Sequence, residues 1–100
     1  MLVHTVLFWL EKGLSSDQIA EFRNGLDTLE QIESAESVYV GTPANTPPRP
    51  DVLISTYDFC LTVVLKDTNA HDVYQADPKH KAFLKNFSSY IERVRVYDAD

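Results

Sequence analysis

The stretch from Leu2 to Leu10 leaves little freedom in what this chain can fold into. It reads Leu-Val-His-Thr-Val-Leu-Phe-Trp-Leu and stops at Glu11-Lys12-Gly13. Branched and aromatic residues at this density predict a β-strand. Alternation puts His4, Val6 and Phe8 on one face and Val3, Thr5, Leu7 and Trp9 on the other. Both faces are mostly apolar, so both must be covered. Helices of the same chain can cover one. Something else must cover the second.

The segments that follow supply the helices. Ser15 and Gln18 have the spacing of a capping box. Ile19, Phe22, Leu26 and Leu29 then recur at intervals of three and four, which predicts an amphipathic helix to about Gln31. Gly25 inside it costs about 1 kcal/mol relative to alanine, so it is either tolerated or marks a close approach. Ser37 to Gly41 reads as a short strand. Pro43, Pro47, Pro48 and Pro50 turn Thr42 to Pro50 into a loop. Ile54 to Lys66 is the longest strand expected. Tyr57, Phe59, Leu61, Val63 and Leu65 line one face of it, and Asp58, Cys60, Thr62 and Val64 the other. Two helices follow, from Thr68 through Tyr74 and from Pro78 to about Ser89, and Ile91 to Asp98 closes as a strand.

The order β-α-β-β-α-β predicts an α+β fold of the ferredoxin-like type, a four-stranded antiparallel sheet with helices on one face. The chain is one domain over residues 1–100. A chain this short buries a modest share of its surface. The bare face carrying Thr5, Leu7 and Trp9 would be an exposed apolar sheet in a monomer. The expected solution is a symmetric homodimer through that open face.

Charge narrows the partners. Nine Lys and Arg stand against 15 Asp and Glu, a formal net charge of −6. That argues against nucleic acid, whose recognition needs a basic face, and against an anionic membrane surface. Leu2 to Leu10 is too short to cross a bilayer and lacks the basic lead of a signal peptide. The single Cys60 suits a reducing compartment, so the expected location is cytoplasmic. Three scattered histidines and one cysteine do not form a zinc-spacing pattern. No phosphate loop, nucleophile elbow or dinucleotide fingerprint is present. Neither a metal nor a cofactor is expected.

The chemistry-bearing stretch is Tyr74 to Phe83. Asp77 is placed to cap the second helix of the pair, and Pro78 falls at its first position. Phe83, Phe87 and Ile91 recur every four residues and mark the buried side. His80, three before Phe83, points the same way. A histidine titrates near neutrality and can take a proton from a carbon beside a carbonyl. Tyr74, just before the break, could donate a hydrogen bond to the enolate oxygen that results. In the plain alternative His80 satisfies a backbone carbonyl and Tyr74 packs. His4 points under the helices, where a hydrogen-bonded core histidine is the commoner outcome. His71, beside Asp72, is expected to be exposed, and Asp58 and Asp98 to lie at edges or in ion pairs. Phe22, Phe59 and Phe83 are core residues first, and the sharper alternative is an aromatic-lined pocket among them.

Several of these segments, taken together, resemble the stress-responsive A/B barrel domain family. They are Val3-His4-Thr5-Val6-Leu7-Phe8, Val38-Tyr39-Val40-Gly41, Asp77-Pro78-Lys79-His80-Lys81-Ala82-Phe83 and Val96-Tyr97-Asp98. The resemblance covers nearly the whole chain. It implies a ferredoxin-like subunit and a dimeric α+β barrel. One plant relative, olivetolic acid cyclase, closes a linear polyketide by aldol condensation with a tyrosine and a histidine six residues later. Tyr74 and His80 match that spacing, and His4 matches its strand-one histidine. A further histidine in its third strand is replaced here by Phe59, which points away from the same substrate.

The expected function is therefore a small-molecule site between sheet and helices for a carbonyl-containing or aromatic ligand. His80 and Tyr74 would carry lyase or cyclase chemistry, with His4, Phe59, Phe83 and Phe22 around the ligand. A non-enzymatic dimer meeting a protein partner, and a cofactor-free monooxygenase or isomerase, are the alternatives. Fold alone does not separate them.

Overall fold

A computed structural model describes all residues from 1 to 100. Its elements in chain order are β1 (Leu2–Leu10), α1 (Ser16–Asp27), β2 (Ala35–Gly41), β3 (Phe59–Leu65), α2 (Thr68–Ala76), α3 (Pro78–Phe87) and β4 (Ile91–Ala99). Short 3₁₀ turns, Thr28–Gln31 and Ser88–Tyr90, finish α1 and α3. The four strands form one antiparallel sheet in the order β2-β3-β1-β4. This is the ferredoxin-like α+β arrangement.

Local sequence explains where the helices begin. Ser15 Oγ accepts from Gln18 N at 3.1 Å and the Gln18 side chain accepts from Ser15 N at 2.8 Å, closing the capping box. Asp67 caps α2 through Ala70 N at 2.9 Å. Asp77 ends α2 and starts α3: its carboxylate accepts from Lys79 N at 2.8 Å, and Pro78 occupies the first helical position. The α-helical geometry of α1 stops at Asp27, earlier than periodicity alone predicts. Thr28 Oγ1 donates to Gly25 O at 2.6 Å, and the chain tightens into a 3₁₀ turn. Gly25 marks a close approach. A Cβ there would stand 2.5 Å from the Phe87 ring, so the missing side chain lets α1 and α3 meet.

The structure corrects where the third strand begins. The third strand starts at Phe59, not Ile54. The residues just before it are tied to the end of β1 by side-chain hydrogen bonds instead. Trp9 Nε1 donates to Thr56 Oγ1 at 3.1 Å, and Leu10 N donates to Asp58 Oδ2 at 2.7 Å. Tyr57 stands edge-on to Trp9 with ring centroids 6.4 Å apart. It therefore serves the face opposite Phe59, although strand alternation places the two together.

The core lies between the sheet and the helices. Val6, Phe8, Phe59, Leu61 and Val63 rise from the sheet into Phe22, Leu26, Leu29 and Phe83. On the other face Val3, Thr5, Leu7, Trp9, Cys60, Thr62 and Val64 are only half-buried. Arg93 rests its guanidinium 4.7 Å from the centre of the Trp9 ring. The helical layer leaves β4 largely uncovered. Val94 and Val96 pair with Phe8 and Val6 and so share the helix-side face, yet they are 42% and 50% exposed.

Candidate functional site

A cavity of about 230 Å³ opens on the helix side of the sheet, next to β4. Val6, Phe8, Leu29, Leu61 and Phe83 form its apolar wall, and its polar lining is His4, Gln75 and His80. Leu84, Val94 and Val96 line its solvent-facing side, where β4 lacks helical cover. A mostly apolar hollow with a few convergent polar groups is the usual form of a small-ligand site.

His80 is the third residue of α3, held by the Asp77 cap and Pro78, and is 9% exposed. Burial is the main reason its pKa lies below the ordinary 6.5. The nearby His4 and His71 push the same way, while the Gln75 backbone and Asp77 pull against them. The imidazole is therefore neutral at pH 7 and available as a base. Its Nδ1 is buried without a hydrogen-bond partner, as is the hydroxyl of Tyr74. The two rings meet edge to face at 5.0 Å between centroids. Tyr74 is fully buried, and burial drives its phenol well above the ordinary pKa of 10. It remains a protonated donor across the working pH range.

His4 faces the cavity from β1, and register sets Asp98 of β4 directly opposite. His4 Nδ1 lies 2.5 Å from Asp98 Oδ1. A carboxylate only accepts, so Nδ1 carries the proton and donates. His4 also stands edge-on to Tyr74 at 6.0 Å and to His71 at 5.2 Å. His71 is half-buried, not exposed as its sequence neighbourhood suggests, because α2 turns it toward β4. Its Nε2 lies 3.9 Å from Asp98 Oδ2. Asp98 accordingly takes the ion-pair position expected of it, while Asp58 serves at the sheet edge as an acceptor for Leu10 N.

The residues singled out from sequence separate into two groups. His4, His80 and Phe83 line the cavity. Tyr74 lies behind His80, outside the lining. Phe22 and Phe59 stack on each other at 5.6 Å in the core and do not reach the cavity. Sequence reasoning missed Gln75, Leu84, Val94 and Val96. The alternation of Val94 and Val96 carried a signal, but using it required the β1–β4 register.

The lowered pKa of His80 has a consequence for stability. Between its folded value and 6.5, the unfolded chain binds a proton that the folded chain refuses. The His80 contribution is therefore complete above pH 6.5 and drains away as acidity moves from there toward the folded value. A His80→Gln chain is expected to lose less stability than the wild type between about pH 7 and pH 5, measured as urea midpoints. Parallel acid curves for the two chains would remove His80 as the cause.

The sequence model of the stress responsive A/B barrel domain matches residues 2–100. No curated protein matches the chain. Among solved structures, a dimeric ferredoxin-like protein of unknown function from Thermobifida fusca superposes with a TM-score of 0.80 at 19% identity, covering 98% of this chain and 88% of that one. A protein from Arabidopsis thaliana gives 0.79 at 22% identity, covering 100% and 94%. A hydroxynitrile lyase from Passiflora edulis gives 0.78 at 18% identity, covering 98% and 90%. At these identities the likeness is one of fold.

Proposed function

Because this chain belongs to the stress-responsive A/B barrel domain family, we propose that it works as a homodimer that holds a small carbonyl-containing or aromatic ligand between sheet and helices. His80 serves as its acid–base group, in lyase or cyclase chemistry that needs no cofactor. The observation that carries this reading is the cavity itself. It is apolar on most sides, has two imidazoles in its wall, and one of them is kept neutral by burial.

In this reading His80 takes a proton from a carbon beside a carbonyl. The electron pair moves onto the carbonyl oxygen, and the resulting enolate attacks a second carbonyl. In the lyase direction His80 takes a hydroxyl proton, the oxygen's electron pair forms the carbonyl, and the adjacent carbon–carbon bond breaks with its pair leaving on the departing carbanion (cyanide from a cyanohydrin), which takes the proton back from His80. Tyr74 acts from behind. With the imidazole proton on His80 Nδ1, the Tyr74 hydroxyl oxygen is placed to accept from it, and that pairing leaves the Nε2 lone pair to receive the substrate's proton. His4, whose Nδ1–H is held by Asp98, presents Nε2 to accept from a hydroxyl of the ligand, and Phe83 packs against its apolar part. The half-buried apolar sheet face supports the homodimer, as do fold relatives described as dimeric. The unpaired Cys60 supports a cytoplasmic setting.

Two probes test the chemistry: exchange of the methyl protons of acetophenone in deuterated water, followed by NMR, and release of benzaldehyde from mandelonitrile, followed by absorbance. At least one is expected to be accelerated by the wild-type chain. His80→Gln is expected to lower that rate by roughly 10²–10⁴-fold with the fold retained. If neither probe binds or reacts, the ligand-site reading fails. If His80→Gln keeps full activity, the assignment of the base fails.

A further inference from the structure

We propose that His4, His71 and Asp98 bind a divalent first-row transition ion on the β4 side of the cavity. This goes beyond the acid–base reading and uses neither His80 nor Tyr74. The three residues come from β1, α2 and β4, and His4 and Asp98 are 94 residues apart in the chain. The fold nevertheless brings one donor atom from each within 4.8 Å of the others.

The geometry favours an ion over a hydrogen-bond network alone. His71 Nε2 and Asp98 Oδ2 are 3.9 Å apart, too far for a hydrogen bond. Donors that share one ion through bonds of about 2 Å stand roughly 3–4 Å apart, so this spacing suits a bridged pair. To admit the same ion, His4 moves its ring proton from Nδ1 to Nε2, and Nδ1 and Asp98 Oδ1, now 2.5 Å apart, open by about 0.5–1.5 Å to reach that spacing. The other nitrogen of His71 lies 3.3 Å from Asp72 Oδ1. A carboxylate on the far nitrogen orients a ligating imidazole and raises its basicity.

Donor chemistry selects the class of ion. Two imidazoles and one carboxylate suit zinc, copper, nickel or cobalt, while magnesium and calcium demand oxygen. The chain's net negative charge attracts any of them. Three protein ligands leave at least one coordination position free. Because His4 lines the cavity, a molecule inside it could fill that position.

The test is calorimetric titration of tag-free, chelator-treated full chain with Zn²⁺ at neutral pH, together with visible spectra of the Co²⁺ form. One ion per chain is expected, with Mg²⁺ giving no competition. His71→Ala is expected to weaken Zn²⁺ binding by at least about tenfold and to erase the Co²⁺ bands. His71 is half-buried, so this change is tolerable to the fold, and Asp98→Asn provides a second variant. His80→Gln, which removes the only other histidine, should bind as the wild type does. Absence of binding, or unchanged affinity in both His71→Ala and Asp98→Asn, overturns the site. Neither result touches the His80 assignment, which rests on the proton-transfer assays.

Discussion

Replacing Phe22 by alanine is expected to remove a large share of the chain's stability. Phe22 is fully buried at the centre of an aromatic cluster. Its ring meets Phe8 at 5.4 Å, Phe83 at 5.5 Å, Phe59 at 5.6 Å and Phe87 at 5.8 Å. Three of the four contacts are edge to face, the preferred arrangement of opposed ring charges. Truncation removes the transfer free energy and leaves a void between α1, α3 and the sheet that rigid rings cannot fill. The expected cost is roughly 3–5 kcal/mol, against about 5–15 kcal/mol for a whole domain. For a domain of this size that lowers Tm by more than about 12 °C. Chemical denaturation at fixed chain concentration measures it, so that subunit association does not confuse the comparison. A loss below about 1 kcal/mol would show that the cluster packs loosely. A selective loss of ligand affinity with unchanged stability would instead return Phe22 to the ligand site.

Leu7→Arg is expected to leave a folded monomer. Leu7 lies mid-strand on β1, on the open face of the sheet, with Arg95 directly across on β4. In a lone subunit an arginine there projects into water and costs little beyond its repulsion from Arg95. In a dimer that closes this face, the same charge is stripped of water in an apolar layer, and symmetry repeats it on the partner. Like charges brought together at an interface cost several kcal/mol, enough to raise the dissociation constant by more than about a hundredfold. Sedimentation at micromolar concentration distinguishes the outcomes. A variant that still sediments as a dimer would place the interface elsewhere on the molecule. Because the cavity lies on the helix side, ligand binding to the monomer would show whether the site is complete within one chain.

Much of the fold was legible in the sequence because it is decided locally. Ser15 with Gln18, and Asp77 with Pro78, start helices through contacts within three residues. The alternation of β1 predicted which residues turn to the helices. The intervals between Phe22, Leu26 and Leu29 predicted the buried side of α1. His80 could be assigned to the inner side of α3 from its distance to Phe83 alone. The order of these elements left few topologies, and the sheet follows one of them.

What only the tertiary structure decided depends on register and on which rings occupy the same space. Tyr57 and Phe59 alternate as if on one face, but the tether of Thr56 to Trp9 carries Tyr57 to the other. Phe22, Phe59 and Phe83 are equivalent in sequence terms. Packing between distant segments leaves Phe83 alone among them beside the cavity. His4, His71 and Asp98 looked isolated because nothing local links them. They meet because antiparallel pairing of β1 with β4 sets residue 4 against residue 98, and α2 brings the His71 ring within 5.2 Å of His4. Periodicity and capping are short-range consequences of backbone geometry and can be read along the chain. The convergence of side chains from three elements is a property of how those elements pack, and no single segment contains it.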